Sequence, residues 1–180
     1  MRVERTKIED LLLIQHDLFE DDRGYFQDLY DENKLKDLLD VDIRFVKDSM
    51  SFSKKSVLRG MHFQMKYPQG KLIYVASGAI LDVVVDLRKE SKSFGSHFSV
   101  TLNDQENKQL YIPPGFAHGF YVLSDIAKVC YKLTEKYYPE DQYTLAWNDP
   151  DVNIEWPDSK PILSNKDCKG LSLKDIQQLQ

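Results

Sequence analysis

Residues 71–88, KLIYVASGAILDVVVDLR, hold two apolar runs separated only by Ser77-Gly78. Short runs rich in Val and Ile, broken at a glycine, read as β-strands joined by a tight turn. The same succession of apolar run and polar turn continues through SHFSVTL, KQLYIPP and AKVCYKLTEKYY, and fills roughly residues 45–147. Helical stretches between these runs are too few for βαβ units. The pattern predicts an antiparallel sandwich or barrel.

The flanks differ. RGYFQDLY alternates as an edge strand, and DENKLKDLLD places Leu35, Leu38 and Leu39 on one helical face behind an Asp31 N-cap. After Trp147 the chain is loop-rich, with Pro150, Pro157 and Pro161. It ends in LSLKDIQQLQ, where Ser172 and Asp175 predict a capped short helix with Leu173, Ile176 and Leu179 inward. With 180 residues, 42% of them hydrophobic, and no repeat or linker, the expectation is one domain spanning 1–180.

Charge narrows the function. Lys and Arg number 24 against 29 Asp and Glu, a net charge of −5, which argues against nucleic acid as a partner. The charged start MRVERTKIED and the four-residue run LLLI fit neither a secretory signal nor a membrane span. Cys130 and Cys168 match no disulfide framework or zinc spacing and read as reduced thiols in a cytoplasmic protein.

Chemistry concentrates in SVLRGMHFQ. An arginine and a histidine flank a glycine in a strand-like stretch, although neither suits a core. His62 has Arg59 three residues before it and Lys71 nine after it, so a loop returning Lys71 would make a cationic pocket. Regular strand parity sends residues 59 and 62 to opposite faces, and a bulge at Gly60 would bring them together. In YIPPGFAHGF, two prolines and two glycines make a stiff turn that would fix His118 at a strand end. Alternation puts Tyr131 inward with Ala127, Val129 and Leu133, where its hydroxyl needs a partner. Asp167 and Arg23 read by themselves as turn charges. The spacing Pro113-x-Gly115-x-x-His118 is similar to the second motif of metal-binding cupins, but the first motif's His-x-His is here His62 followed by Gln64, so no metal is expected.

Taken in order, DDRGYF, LRGMHFQ, QGKL, VDLRKESKSFG, YIPPGFAHGF, YKLTEKYYPE, WNDPDVNIEWP and ILSNKD resemble the dTDP-4-dehydrorhamnose 3,5-epimerase family over most of the chain. The resemblance implies a mainly β fold, a cupin-type double-stranded β-helix (jelly roll) with a few short peripheral helices. It further implies a homodimer that epimerises a nucleotide-linked 4-keto-6-deoxy sugar at C3 and C5 in dTDP-rhamnose biosynthesis, with no metal or organic cofactor. Matched motif by motif, His62 is the general base, oriented by Asp167, and Tyr131 the general acid. Lys71 and His118 lie around the sugar; Arg23 and Arg59 hold nucleotide and diphosphate, with Tyr137 and Lys166 nearby.

The chain departs from the family pattern around the ligand. FVKDS stands where members typically read FVQDN, so Lys47 replaces a glutamine and Ser49 an asparagine. Asp28 stands for a glutamate, and Gln142 for an acidic residue eleven positions after the tyrosine. These departures bear on nucleotide and sugar rather than on reaction type. The alternatives are a relative that inverts only C3 or only C5, or takes another nucleotide, and a non-catalytic sugar-nucleotide-binding cupin. The last would lack a base or an acid, and His62, Tyr131 and Asp167 are all present.

Overall fold

The computed structural model describes residues 1–39 and 43–180. The chain opens with strands β1 (Arg2–Arg5), β2 (Leu12–Gln15), β3 (Phe19–Asp21) and β4 (Gly24–Phe26), then helix α1 (Glu32–Leu39). Next come β5 (Lys47–Lys54), β6 (Leu58–Gln64), β7 (Lys71–Ser77), β8 (Ala79–Asp86) and β9 (His97–Asn103). The last strands are β10 (Lys108–Ile112), β11 (Phe116–Val122), β12 (Ile126–Leu133) and β13 (Gln142–Thr144), followed by helix α2 (Leu173–Leu179).

Two antiparallel sheets face each other as a jelly roll. One runs β1-β2-β10-β7-β12-β5 and the other β13-β6-β11-β8-β9. Between them lies a core in which Ile73, Val75, Leu110 and Val129 of the first sheet meet Ile80, Val84, Phe116 and Phe120 of the second. The second sheet is also covered on its outer face. There Met61, Val83, Val85 and Ala117 pack under Leu145, Val152 and Ile176 from the carboxy-terminal segment. Burial on both faces explains why β8 and β11 are apolar almost throughout rather than alternating.

Ser77-Gly78 does not make a hairpin. β7 pairs with β10 and β12, whereas β8 pairs with β11 and β9. Gly78, at φ +87°, sits so close to the Ile126 carbonyl that a Cβ would lie 2.1 Å from it, and the chain crosses there from one sheet to the other.

RGYFQDLY is not an edge of either large sheet. Only Gly24–Phe26 is strand, and it pairs with β3 in a separate two-stranded hairpin. Its tip is closed locally, with the Arg23 amide donating to Asp21 Oδ1 at 2.8 Å, and Phe19, Tyr25 and Phe26 remain exposed. Asp31 caps α1 as expected, accepting from the Lys34 amide at 3.1 Å. Leu35 is buried with Ile14, Leu72 and Tyr111, but Leu38 is exposed, because the short helix touches the sheet margin along a narrow line. Leu39's expected inward side chain lies outside the described residues. The reciprocal Ser172–Asp175 cap is present on α2, where Ile176 is buried and Leu173 partly so, while Leu179 on the last turn is exposed.

Candidate active site

The two sheets part at one end around a cavity of about 260 Å³. Three of its lining residues, Lys47, Ser49 and Ser51, alternate along β5. From β6 come Arg59 and His62, from β7 Lys71, from β11 His118 and from β12 Tyr131. Tyr137 and Gln142 close the rim. Larger cavities of about 480 Å³ beside Tyr25 and Tyr74, and about 660 Å³ beside Trp147 and Trp156, have no histidine among the described residues that line them.

The parity problem at Arg59 and His62 is resolved by a bulge. Against β11, His62 stands opposite His118 but Arg59 opposite Phe120, so three residues of β6 span two of β11. Gly60 takes φ +136° there, and a Cβ on it would lie 2.5 Å from the Gly119 Cα. Only a glycine pair lets the strands approach this closely.

His62 keeps 30% of its side chain exposed toward the cavity, and its Nε2 lies 2.6 Å from Asp167 Oδ1. Asp167 is 3% exposed, on a short 3-10 turn. The bland reading of it as a solvated turn residue is therefore overturned: the tail folds back and carries it in. Burial works to raise the Asp167 pKa, but its hydrogen bond and electrostatic attraction to His62, helped by Ser164 and Lys166, hold it below the ordinary value. As a carboxylate, Asp167 accepts the Nε2–H and leaves His62 Nδ1 as the ring's basic nitrogen.

Tyr131 reaches the cavity from the facing sheet. Its hydroxyl is 2.8 Å from Ser51 Oγ, and burial raises its pKa well above the usual phenol range, against the opposing effect of that bond. It is thus a proton-bearing group at neutral pH. Lys71 is 7% exposed, its Nζ donates to the His62 carbonyl at 3.1 Å, and burial brings its pKa down to about 8 while Asp82 pulls it up. Arg59 is held at the rim by donation to Ser53 Oγ at 2.8 Å and to the Phe52 carbonyl. Lys47 Nζ stands 5.9 Å from the centre of the exposed Tyr137 ring.

His118 is not at a strand end but inside β11, buried, with Nε2 2.8 Å from Asp82 Oδ2. Burial lowers its pKa, so the ring is neutral. Gln64 is committed elsewhere: its amide donates to the carbonyls of Tyr67 and Lys136 and accepts from the Tyr138 amide. Among the described residues no three His, Cys, Asp or Glu side chains gather as a metal-binding group. No described helix is long and apolar enough to cross a membrane.

Besides Asp167, which stands behind His62, three expected site residues do not line this cavity. Arg23 sits on the β3–β4 tip, exposed and paired with Asp21. Asp28 lies 3.8 Å from Lys34 Nζ, and Lys166 is exposed beside Asp167. Ser51, Ser53 and Asp82 were missed by sequence reasoning. A lone carboxylate inside the apolar run AILDVVVD was the available signal for Asp82.

Lys47, Arg59 and Lys71 bring three cationic side chains to the cavity, and among the described residues no carboxylate lines it. That lining selects an anionic ligand. Inside, an imidazole with a free nitrogen and a protonated phenol come from opposite sheets, an arrangement that can remove a proton and return one from elsewhere.

The family model for dTDP-4-dehydrorhamnose 3,5-epimerase matches residues 5–175. The dTDP-4-dehydrorhamnose 3,5-epimerase of Escherichia coli K12 is 44% identical over 182 residues, covering 100% of this chain and 98% of the relative. A crystal structure of dTDP-6-deoxy-D-glucose-3,5-epimerase from Legionella pneumophila Philadelphia 1, in complex with dTDP-4-keto-L-rhamnose, superposes with a TM-score of 0.93 at 40% identity, over 96% of this chain and 93% of that one. A 3'-monoepimerase from Streptomyces bikiniensis in complex with dTDP-quinovose superposes at TM-score 0.90 with 28% identity, over 97% and 89% of the two chains.

Proposed function

The chain belongs to the dTDP-4-dehydrorhamnose 3,5-epimerase family and is a sugar-nucleotide epimerase, and we propose that it converts dTDP-4-dehydro-6-deoxy-glucose to dTDP-4-dehydro-rhamnose through an enolate. The observation that carries this reading is the His62–Asp167 pair on one sheet side facing the protonated Tyr131 on the other, in a cavity lined by cations.

The C4 ketone of the substrate acidifies the hydrogens at C3 and C5. His62 Nδ1 takes one of them, and the electron pair moves through the C–C bond onto the ketone oxygen. Asp167 stabilises the imidazolium that results. The Lys71 ammonium faces the oxyanion, an interaction worth about 2–4 kcal/mol for one well-placed donor. Tyr131 then delivers its proton to the opposite face of the same carbon, the double bond collapses back to the ketone, and the centre is inverted. Solvent reprotonates the phenolate and takes the proton from His62.

Arg59 pairs with the diphosphate. His118 lies beside the sugar, and Tyr137, with Lys47, offers a ring face to the nucleotide base. Ser49 and Gln142 complete that end of the cavity, and Lys166 supports the Asp167 turn. We place the whole chain, residues 1–180, in one jelly-roll domain acting as a cytoplasmic homodimer, without nucleic acid as a partner. Support for the dimer comes from Met50, Phe52 and Ile126, exposed along the outer face of β5 and β12, and from the exposed aromatics of the β3–β4 hairpin. In that dimer Arg23 and Asp28 act at the neighbour's cavity, since their own does not hold them.

A second reading is inversion at one carbon only. The departures at Lys47, Ser49 and Gln142 all line the cavity, and the likeness to a 3'-monoepimerase keeps this outcome specific. Proton NMR of the product formed in deuterated water decides between them: deuterium and inversion at both C3 and C5 support the first, and at one carbon the second.

A further inference from the structure

Asp82 lies in the middle of β8 between Leu81 and Val83, with no exposed surface. A carboxylate taken out of water without full compensation is strongly unfavourable, so its presence in a core asks for a reason. Asp86, on the same strand, shows what a structural carboxylate looks like: Arg88, Ser91 and Ser93 saturate it. Asp82 is different. Its Oδ2 accepts from His118 Nε2 at 2.8 Å, but Oδ1 is buried and has no hydrogen-bond partner among the described residues.

Lys71 presents the complementary imbalance. Its ammonium is buried, donates to a neutral carbonyl, and has no carboxylate within ion-pair distance among the described residues. The field of Asp82 reaches Lys71, His118 and Tyr131 alike, in each case favouring the proton-bearing form.

We infer that Asp82 is a positioning residue for the epimerisation: its half-satisfied buried carboxylate keeps the Lys71 ammonium charged and fixes His118 as the Nε2–H tautomer. The inference rests on Lys71 acting at the sugar's ketone oxygen as proposed above. Asp82 touches neither the base nor the acid, and acts through Lys71 and His118.

The charged and titratable groups around Lys71 come from several elements. Arg59 and His62 stand on β6, Asp82 on β8, His118 on β11, Tyr131 on β12 and Lys47 on β5, with Asp167 behind His62. His118 is neutral, and Arg59 and Lys47 are cations that can only favour deprotonation. Asp82 is the group that opposes burial, so neutralising it moves Lys71's deprotonation to lower pH.

Asp82→Asn keeps the size and the acceptor for His118 while removing the charge. Lys71 is followed by NMR of protein labelled with [13C]lysine, its signal assigned by its loss in Lys71→Met. In the unmutated protein Lys71 should be protonated at pH 7 and titrate near 8. In Asp82→Asn the midpoint should fall by about one unit or more, and the alkaline limb of kcat/KM should move with it. An unchanged Lys71 midpoint in the folded variant overturns the inference, whatever happens to activity. A midpoint that falls while the pH–rate profile stays in place supports the Asp82–Lys71 pairing and instead removes Lys71 from the proposed chemistry. If Asp82→Asn does not fold, the unmutated protein decides: Lys71 protonated at pH 7 supports the inference, and Lys71 already neutral there overturns it.

Discussion

His62 Nε2 and Asp167 Oδ1 lie 2.6 Å apart, although 105 positions separate the two residues. The bond ties a central strand to the carboxy-terminal tail and leaves a single ring nitrogen facing the cavity. Asp167→Asn should keep the shape of that turn, lose the charge that supports an imidazolium, and lower turnover by on the order of 10²-fold with nucleotide affinity little changed. The pH dependence has a definite sign. The folded-state pKa of Asp167 is depressed, so its stabilising effect is present above the ordinary carboxylate value and disappears as pH falls through the lower folded value. Acid unfolding of Asp167→Asn, followed by circular dichroism, should therefore be shallower than that of the parent over that window.

Tyr131→Phe preserves the ring and its packing while removing the proton that burial keeps on the hydroxyl. Turnover should drop ~10²–10⁴-fold. Proton abstraction by His62 survives, so the variant should wash deuterium into the sugar without inverting it. Inversion at the parent rate would remove Tyr131 as the acid.

Lys71→Met separates stability from function. Folding lowers this lysine from its ordinary 10.5 to about 8, so at pH 7 the buried ammonium is less favourable than in the unfolded chain by up to about 3 kcal/mol. The unfolded state binds the extra proton between those values, so this group's cost is full below 8 and is relieved as pH rises toward 10.5. The methionine variant should melt higher than the parent at pH 7 and lose that advantage by pH 10, while turnover falls ~10²–10³-fold. A lower melting temperature at pH 7 would contradict the assignment of Lys71 as a costly buried cation.

Lys47→Gln tests the rim. Lys47 is exposed but lines the cavity mouth beside Tyr137, within reach of a bound ligand. Removing it should change the preference among dTDP, UDP and GDP in a thermal-shift titration and flatten the salt dependence of binding, most visibly at low ionic strength. Identical rankings and salt slopes in parent and variant would show that Lys47 makes no contact with the nucleotide.

Most of the fold was legible because β-sheets write themselves into local sequence. β10 and β12 lie where their apolar runs predicted, as do the caps at Asp31 and Ser172. What local pattern could not show was which sheet a strand joins: the turn at Ser77-Gly78 looks like a hairpin but is a crossing between sheets. The site was legible in unequal parts. Arg59, His62 and Lys71 stand close in sequence, and the bulge at Gly60 was implied by the conflict of parity. Asp167 carried no signal of its own, since an acidic residue in a polar tail looks the same solvated or buried. Asp82 carried a signal in its apolar surroundings that went unweighed, and Ser51 carried none, because its bond to Tyr131 arises only from the pairing of β5 with β12.

The base itself is tested most directly by solvent-deuterium incorporation into dTDP-4-dehydro-6-deoxy-glucose, read by proton NMR in deuterated water. The parent should lose the C3 and C5 proton signals, and His62→Asn should retain both while its dTDP affinity stays within a few-fold of the parent's. Loss of either signal at the parent rate in His62→Asn would contradict the assignment of His62 as the group that takes the proton.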